Sequence, residues 1–205
     1  GGMTGVAAAV TARRLGLDVL ILEKAGFLGG AAGTCLINPF MPYSTQVDGK
    51  RLLLSQGFFT ELRAMLNEIG GYRQGQGENI HEEYLKIALD RLVRREKVSV
   101  LYHVMLAGVE KDGETIKSVS VASKAGTLKF SAHTFIDATG DGDVCELAGL
   151  NMLHGNEEDG KNQPVSLRYI VGGVELYLSS ERTDFPGMRG FEVHTYPGDF
   201  CARDG

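Results

Sequence analysis

The chain opens on small and apolar residues. Between Thr4 and Leu15 they dominate, and Gly16 follows as a C-terminal stop, which predicts a helix whose surface can press closely on a neighbour. Asp18 to Glu23 is a nearly continuous branched apolar run, the pattern of a short strand buried on both faces. Residues 24–50 lose this regularity and, rich in Gly, Pro and Asn, predict a long irregular segment. Phe58, Phe59, Leu62, Met65, Leu66 and Ile69 return at helical spacing and stop at Gly70 and Gly71. A further helix carries Leu85, Ala88, Leu89 and Leu92 on one stripe, with Asn79 and Glu82 three apart as its expected cap pair.

Past Lys97 the period shortens. "VSVLYHV" predicts a strand, and the short β segments after it, separated by "KDGE" and "KAGT", predict a three-stranded antiparallel meander. "HTFIDATGDGD" predicts another strand running into a glycine-rich turn, with a short helix over Val144–Leu147. The polar stretch "GNEEDGKNQ" marks a boundary, so residues 1–158 are expected to form one domain and 159–205 the start of a second, which "PVSLRYIVGGVE" enters as a strand.

Composition removes several classes of function. The net charge is -5 and the basic residues are scattered, which offers no field for a phosphate backbone, so nucleic acid is excluded as a partner. No apolar run approaches the roughly 20 residues that a membrane helix needs, and a cytoplasmic location is expected. Cys35, Cys145 and Cys201 are odd in number and far apart, which reads as reduced spectator thiols. The histidines keep no metal-ligand spacing, and no metal site is expected. "DATGDG" imitates the start of a calcium loop, but Ala148 occupies the twelfth position, where an acid is required.

The chemistry gathers at the beginning. A helix that starts beneath a diphosphate needs bare backbone at its first turn, and Gly2 and Gly5 provide it, with Met3 and Thr4 between them offering N–H groups. Glu23 lies where an acid at the end of the second strand can take the hydroxyls of a ribose. The spacing is that of G-x-G-x-x-G with its first glycine, and the strand before it, expected ahead of Gly1.

"GGMTGVAAAVTARRLGLDVLILEKAGFLGG" together with "FIDATGDGDVCELAG" resembles the FAD-dependent oxidoreductases of the glutathione-reductase-like, two-part FAD-binding fold, in particular a subgroup with an A-T-G-D-G-D segment. The resemblance implies an α/β fold: a Rossmann-like sheet with a β-meander crossover, followed by the start of a substrate domain. It implies FAD as cofactor, with the run from Glu23 and Lys24 to Gly29 and Gly30 along the pyrophosphate. It also implies a backbone contact to the adenine from Leu106, and Ala138, Thr139 and Gly140 packed against the dinucleotide. The expected partners are a small-molecule substrate and a separate electron acceptor. Asp141 and Asp143 read as caps of the following helix. Two rivals stay open, an NAD(P)-dependent dehydrogenase and a flavin-binding module without turnover. His194 and Arg189 fall in the expected substrate domain, and no catalytic residue is assigned.

Overall fold

The computed structural model describes residues 1–37, 40–41, 43–71, 79–163 and 165, all of them in the first of the chain's two units, Gly1–Arg168. The strand expected in "PVSLRYIVGGVE", the substrate domain, Arg189 and His194 lie outside the described residues.

The first helix, α1, covers Met3–Arg14, and strand β1, Leu20–Leu22, follows it and pairs with a parallel neighbour at Ser99–Leu101. Between them lie a single helical turn, α2 (Ala31–Thr34), a hairpin of β2 (Ser44–Val47) and β3 (Lys50–Leu53), and helices α3 (Phe58–Glu68) and α4 (Glu82–Arg95). The parallel neighbour Ser99–Leu101 is β4. Strands β5 (Met105–Asp112), β6 (Thr115–Ser123) and β7 (Gly126–Ser131) then form the antiparallel meander that the turn signals predict, and α5 (Asp143–Leu147) follows.

The core forms where the apolar stripes meet. Val6, Ala9 and Val10 of α1, Ile21 of β1, Leu62 and Leu66 of α3, and Leu85, Ala88, Leu89 and Leu92 of α4 are buried together with Leu28. Each fully buried leucine contributes about 1.5–3 kcal/mol relative to its exposed state. At the surface Arg14 donates to Glu61 at 2.9 Å and to Glu96 at 2.7 Å, linking α1 to α3 and to the end of α4. Hydrogen bonds from Arg14 hold both carboxyls below their ordinary pKa.

Four expectations change. The run at 18–23 is not buried on both faces: Ile21 is buried, but Leu20 on the opposite face is 43% exposed, because the helical core covers the other side. The cap of α4 is His81, whose Nδ1 accepts the Glu83 N–H at 3.2 Å, and not Asn79. The His81 N–H bonds the Gly71 carbonyl at 3.1 Å and Ile80 is buried, which holds the chain extended for two residues past Asn79. The segment 24–50 is less irregular than its composition suggests. Asp48 and Gly49, with φ of 51° and 71°, form a two-residue turn that closes β2 on β3, and both positive angles suit the twist of a hairpin. Finally, residues 132–138 form no strand: an apolar run becomes one only by pairing, and no ladder partner exists among the described residues.

Candidate functional site

Two stretches of bare backbone lie side by side at the start of α1. The Gly29 N–H donates to the Gly1 carbonyl at 3.0 Å, and Gly2 and Gly29 form a parallel bridge. Gly30 has φ 54° and ψ -134°, and a Cβ there would stand 2.9 Å from the Cα of Gly2. Position 30 therefore excludes any side chain on two counts, its dihedral angles and its neighbour. Gly29, at φ 124°, rests on α4: a Cβ built there would lie 3.5 Å from Leu85 Cδ2 and 3.6 Å from Leu89 Cδ1. The pair is thus a supported ridge, and more than the simple loop turn that the dipeptide alone suggests.

Gly2 is different. Its φ of -67° and ψ of 174° suit any residue, and a Cβ there meets nothing closer than 3.8 Å. Neither backbone strain nor packing among the described residues requires glycine at this position. A ligand laid against the main chain would require it. The N–H groups of Met3, Thr4 and Gly5 have no hydrogen-bond partner among the described residues, Gly2 supplies no side-chain cap, and the first turn of α1 contains no acid. About three turns of aligned peptide dipoles place partial positive charge at those free donors.

Gly5 has a close neighbour of its own. A Cβ on it would lie 3.2 Å from the Cβ of Ala138, so this glycine lets α1 sit close against the A-T-G segment. That is the helix-packing role of the third glycine in the motif.

Glu23 reaches the same turn. Its side chain is buried at 8% exposure, with Oε1 accepting the Ala25 N–H at 2.6 Å and Oε2 lying 2.8 Å from the nitrogen of Gly1. Each carboxylate oxygen keeps a further lone pair for an outside donor. The backbone of Glu23 is held on both sides, by the Leu101 carbonyl at 2.9 Å and the Val104 N–H at 3.0 Å, while the His103 N–H bonds the Ala25 carbonyl at 3.2 Å. Lys24 is exposed, as is Thr4. Leu106 sits within β5 opposite Val121, and the residues that stitch the meander's entry to Glu23 are His103 and Val104. Sequence reading passed over both, and the φ of 57° at His103 has no sequence signal, since it belongs to a non-glycine residue.

The A-T-G-D-G-D turn is organised from within. Asp137 Oδ1 accepts the Thr139 N–H at 3.0 Å and the Thr139 hydroxyl at 2.7 Å, and Oδ2 accepts the Cys145 N–H at 3.0 Å. Thr139 Oγ1 in turn accepts the Asp143 N–H at 2.9 Å. The caps of α5 are therefore Asp137 and Thr139, and Asp141 and Asp143 do not fill that role: Gly142, at φ 77°, occupies the N-cap position itself, with one acid before it and one after. Gly140 needs its glycine for a φ of 98°. Burial alone would raise the Asp137 carboxyl, but the hydrogen bonds from Thr139 and Cys145 outweigh it and hold the group below the ordinary aspartate pKa. The hydrogen bond to that carboxylate pushes the Cys145 thiol up, which keeps it protonated and unreactive. The signal was present in the sequence as Asp-x-Thr, an acid two residues before a hydroxyl at a turn.

Among the described residues no group of His, Cys, Asp and Glu is arranged to hold a metal ion, and no helix is long and apolar enough to cross a membrane.

Comparison with known proteins matches residues 1–201 to the family model of FAD dependent oxidoreductases. The chain belongs to the FAD-dependent oxidoreductase family. This family binds FAD, and the α/β, Rossmann-like fold with its meander agrees with it. Among solved structures, the chain is similar to THI4 of Thermovibrio ammonificans at 19% identity and a TM-score of 0.50, covering 76% of this chain and 64% of that one. It is also similar to the aromatic hydroxylase CabE from angucycline biosynthesis, at 16% identity and a TM-score of 0.48, covering 73% of this chain and 32% of that one. A flavoprotein/dehydrogenase from Cytophaga hutchinsonii matches at 19% identity and a TM-score of 0.42, over 75% of this chain and 41% of that one. The chain thus spans less than two thirds of each of these proteins, and identities at this level speak for the fold alone. No curated protein matches the chain. The residues present fit the cofactor of the family: main-chain donors and a glycine that no described residue engages or requires, and a carboxylate beside them.

Proposed function

We propose that this protein holds FAD on the first turn of α1 and uses it to oxidise or reduce a small organic substrate by hydride or electron transfer. The observation that carries this reading is the glycine at position 2, which nothing among the described residues requires, in front of N–H groups at Met3, Thr4 and Gly5 that have no partner among them. Those donors hold the diphosphate, Glu23 takes the hydroxyls of the adenosine ribose, and the stretch from Lys24 to Gly29 and Gly30 follows the pyrophosphate. Leu106 meets the adenine through its backbone, and Ala138, Thr139 and Gly140 close the dinucleotide site. Bound FAD supplies the redox chemistry, while the chain binds and orients it and keeps water from it. A separate acceptor restores the starting redox state. The free thiols of Cys35 and Cys145 suit a reducing, cytoplasmic setting.

The test is an absorption spectrum of the full-length protein, followed by reduction and by reoxidation with candidate acceptors. The expected result is an oxidised flavin spectrum that bleaches and recovers. A protein that retains NAD and no flavin would overturn the proposal, and a bound flavin whose redox state never changes would leave binding without the reaction.

A further inference from the structure

We propose that Asp137 is a positioning residue for the cofactor: it fixes the 137–145 turn through Thr139 and Cys145, and through Ala138 that turn sets the place of the first turn of α1. The proposal rests on the reading that this turn of α1 receives the diphosphate.

Three observations lead to it. First, residues 132–138 join no strand ladder among the described residues, and Ile136 within them is 61% exposed, so neither a described sheet nor burial of that side chain fixes the segment. Secondly, the turn that follows contains Gly140 and Gly142 at φ of 98° and 77°, residues with wide conformational freedom in the unbound chain. What holds this segment is a web of side-chain hydrogen bonds. Both oxygens of Asp137 are engaged, at 2.7–3.0 Å, and Thr139 passes the connection on to Asp143. At the other end of α5 the Lys111 ammonium of β5 donates to the Ala148 carbonyl, so the helix is tied at both termini.

Thirdly, the segment so fixed touches α1 at its most sensitive point. A Cβ at Gly5 would stand 3.2 Å from Ala138 Cβ, tighter than ordinary carbon contacts, so it is the missing side chain that lets Ala138 come up against this turn. Ala138 moving outward would leave this turn without its backing, since Gly5 has no side chain to follow it. Asp137 itself stands one residue from that contact. It has no need to meet the cofactor in order to govern the position of the donors at Met3, Thr4 and Gly5.

The experiment compares Thr139→Val, Thr139→Ser and Asp137→Asn in the full-length protein, with FAD titrated into the apoprotein by fluorescence and hydrogen exchange followed at residues 2–6 and 139–145. Valine keeps the shape of threonine and removes both hydroxyl bonds, while serine keeps them. Thr139→Val is expected to weaken FAD about tenfold, or ~1.4 kcal/mol, and to speed exchange in both segments; Thr139→Ser is expected to restore both. Asp137→Asn keeps one acceptor oxygen and is expected to fall between them. Affinity and exchange at residues 2–6 that match wild type in Thr139→Val and Asp137→Asn would overturn the proposal. Should Asp137→Asn fail to fold, the threonine pair decides. A wild-type protein that takes up no FAD would defeat the functional reading instead; faster exchange at residues 2–6 in Thr139→Val would then still support the link between the turns, and unchanged exchange would refute it.

Discussion

The molecule has two glycine-rich turns that each open a helix, and they are finished in opposite ways. At α1 the first-turn donors meet no acceptor among the described residues, with no side-chain cap and no acid in that turn. At α5 two of the corresponding donors, the N–H groups of Asp143 and Cys145, are taken by Thr139 and Asp137, and Asp143 and Glu146 add negative charge to the first turn. Glycines alone therefore do not make an anion site. A helix end receives a phosphate when its own sequence leaves the charge unanswered, and it becomes a structural joint when a nearby carboxylate answers it.

The largest way to break this contrast is to fill the ridge beside α1. Gly30→Val places a branched side chain at φ 54° against Gly2, and is expected to cost about 2–3 kcal/mol of stability and to abolish flavin retention. Denaturant midpoints and the flavin content of the purified protein measure the two effects. A more selective change makes α1 resemble α5. Thr4→Glu puts a carboxylate on an exposed first-turn position and is expected to raise stability by about 0.3–1 kcal/mol, while lowering FAD affinity tenfold or more. Unchanged affinity in a fluorescence titration would show that the phosphates do not rest there.

The contrast can also be sharpened from the side of α5. The folded-state pKa of Asp137 lies below its unfolded value, so its contribution is fully present above the ordinary aspartate pKa of about 3.9 and is lost as pH falls through the lower folded value. The stability advantage of wild type over Asp137→Asn, expected at about 1–2 kcal/mol at neutral pH, should accordingly shrink on acidification. Unfolding free energies measured between neutrality and strong acid would check it; a gap that widened in acid would be the wrong sign. The smallest effect is expected for Asp143→Asn. It removes one first-turn charge that caps nothing, at a loss of about 0.3–0.5 kcal/mol in thermal melts, with no change in FAD affinity.

The same two turns show what the sequence could reveal. Periodicity located α1, α3, α4 and the meander, because each buries one continuous stripe and the stripe is written in local spacing. It failed for 132–138, where the apolar pattern is present but the strand depends on a neighbour that spacing does not encode. The hairpin at 44–53 was legible in principle from Asp48-Gly49, yet the surrounding Gly, Pro and Asn masked it. At the site, glycine positions and Glu23 could be read from the motif, and the structure brings them together. The separate tasks of Gly2, Gly5 and Gly30 could not, since each glycine is defined by a different neighbour: none, Ala138, or the backbone of Gly2.

Leu85 and Leu89 lie beneath Gly29 and are wholly buried. They act as a pedestal: the level of the glycine ridge is set by how far two hydrocarbon side chains project from α4. Trimming either would let the ridge subside without touching a single polar group, so residues far removed from any redox event help to decide whether a dinucleotide finds a level bed.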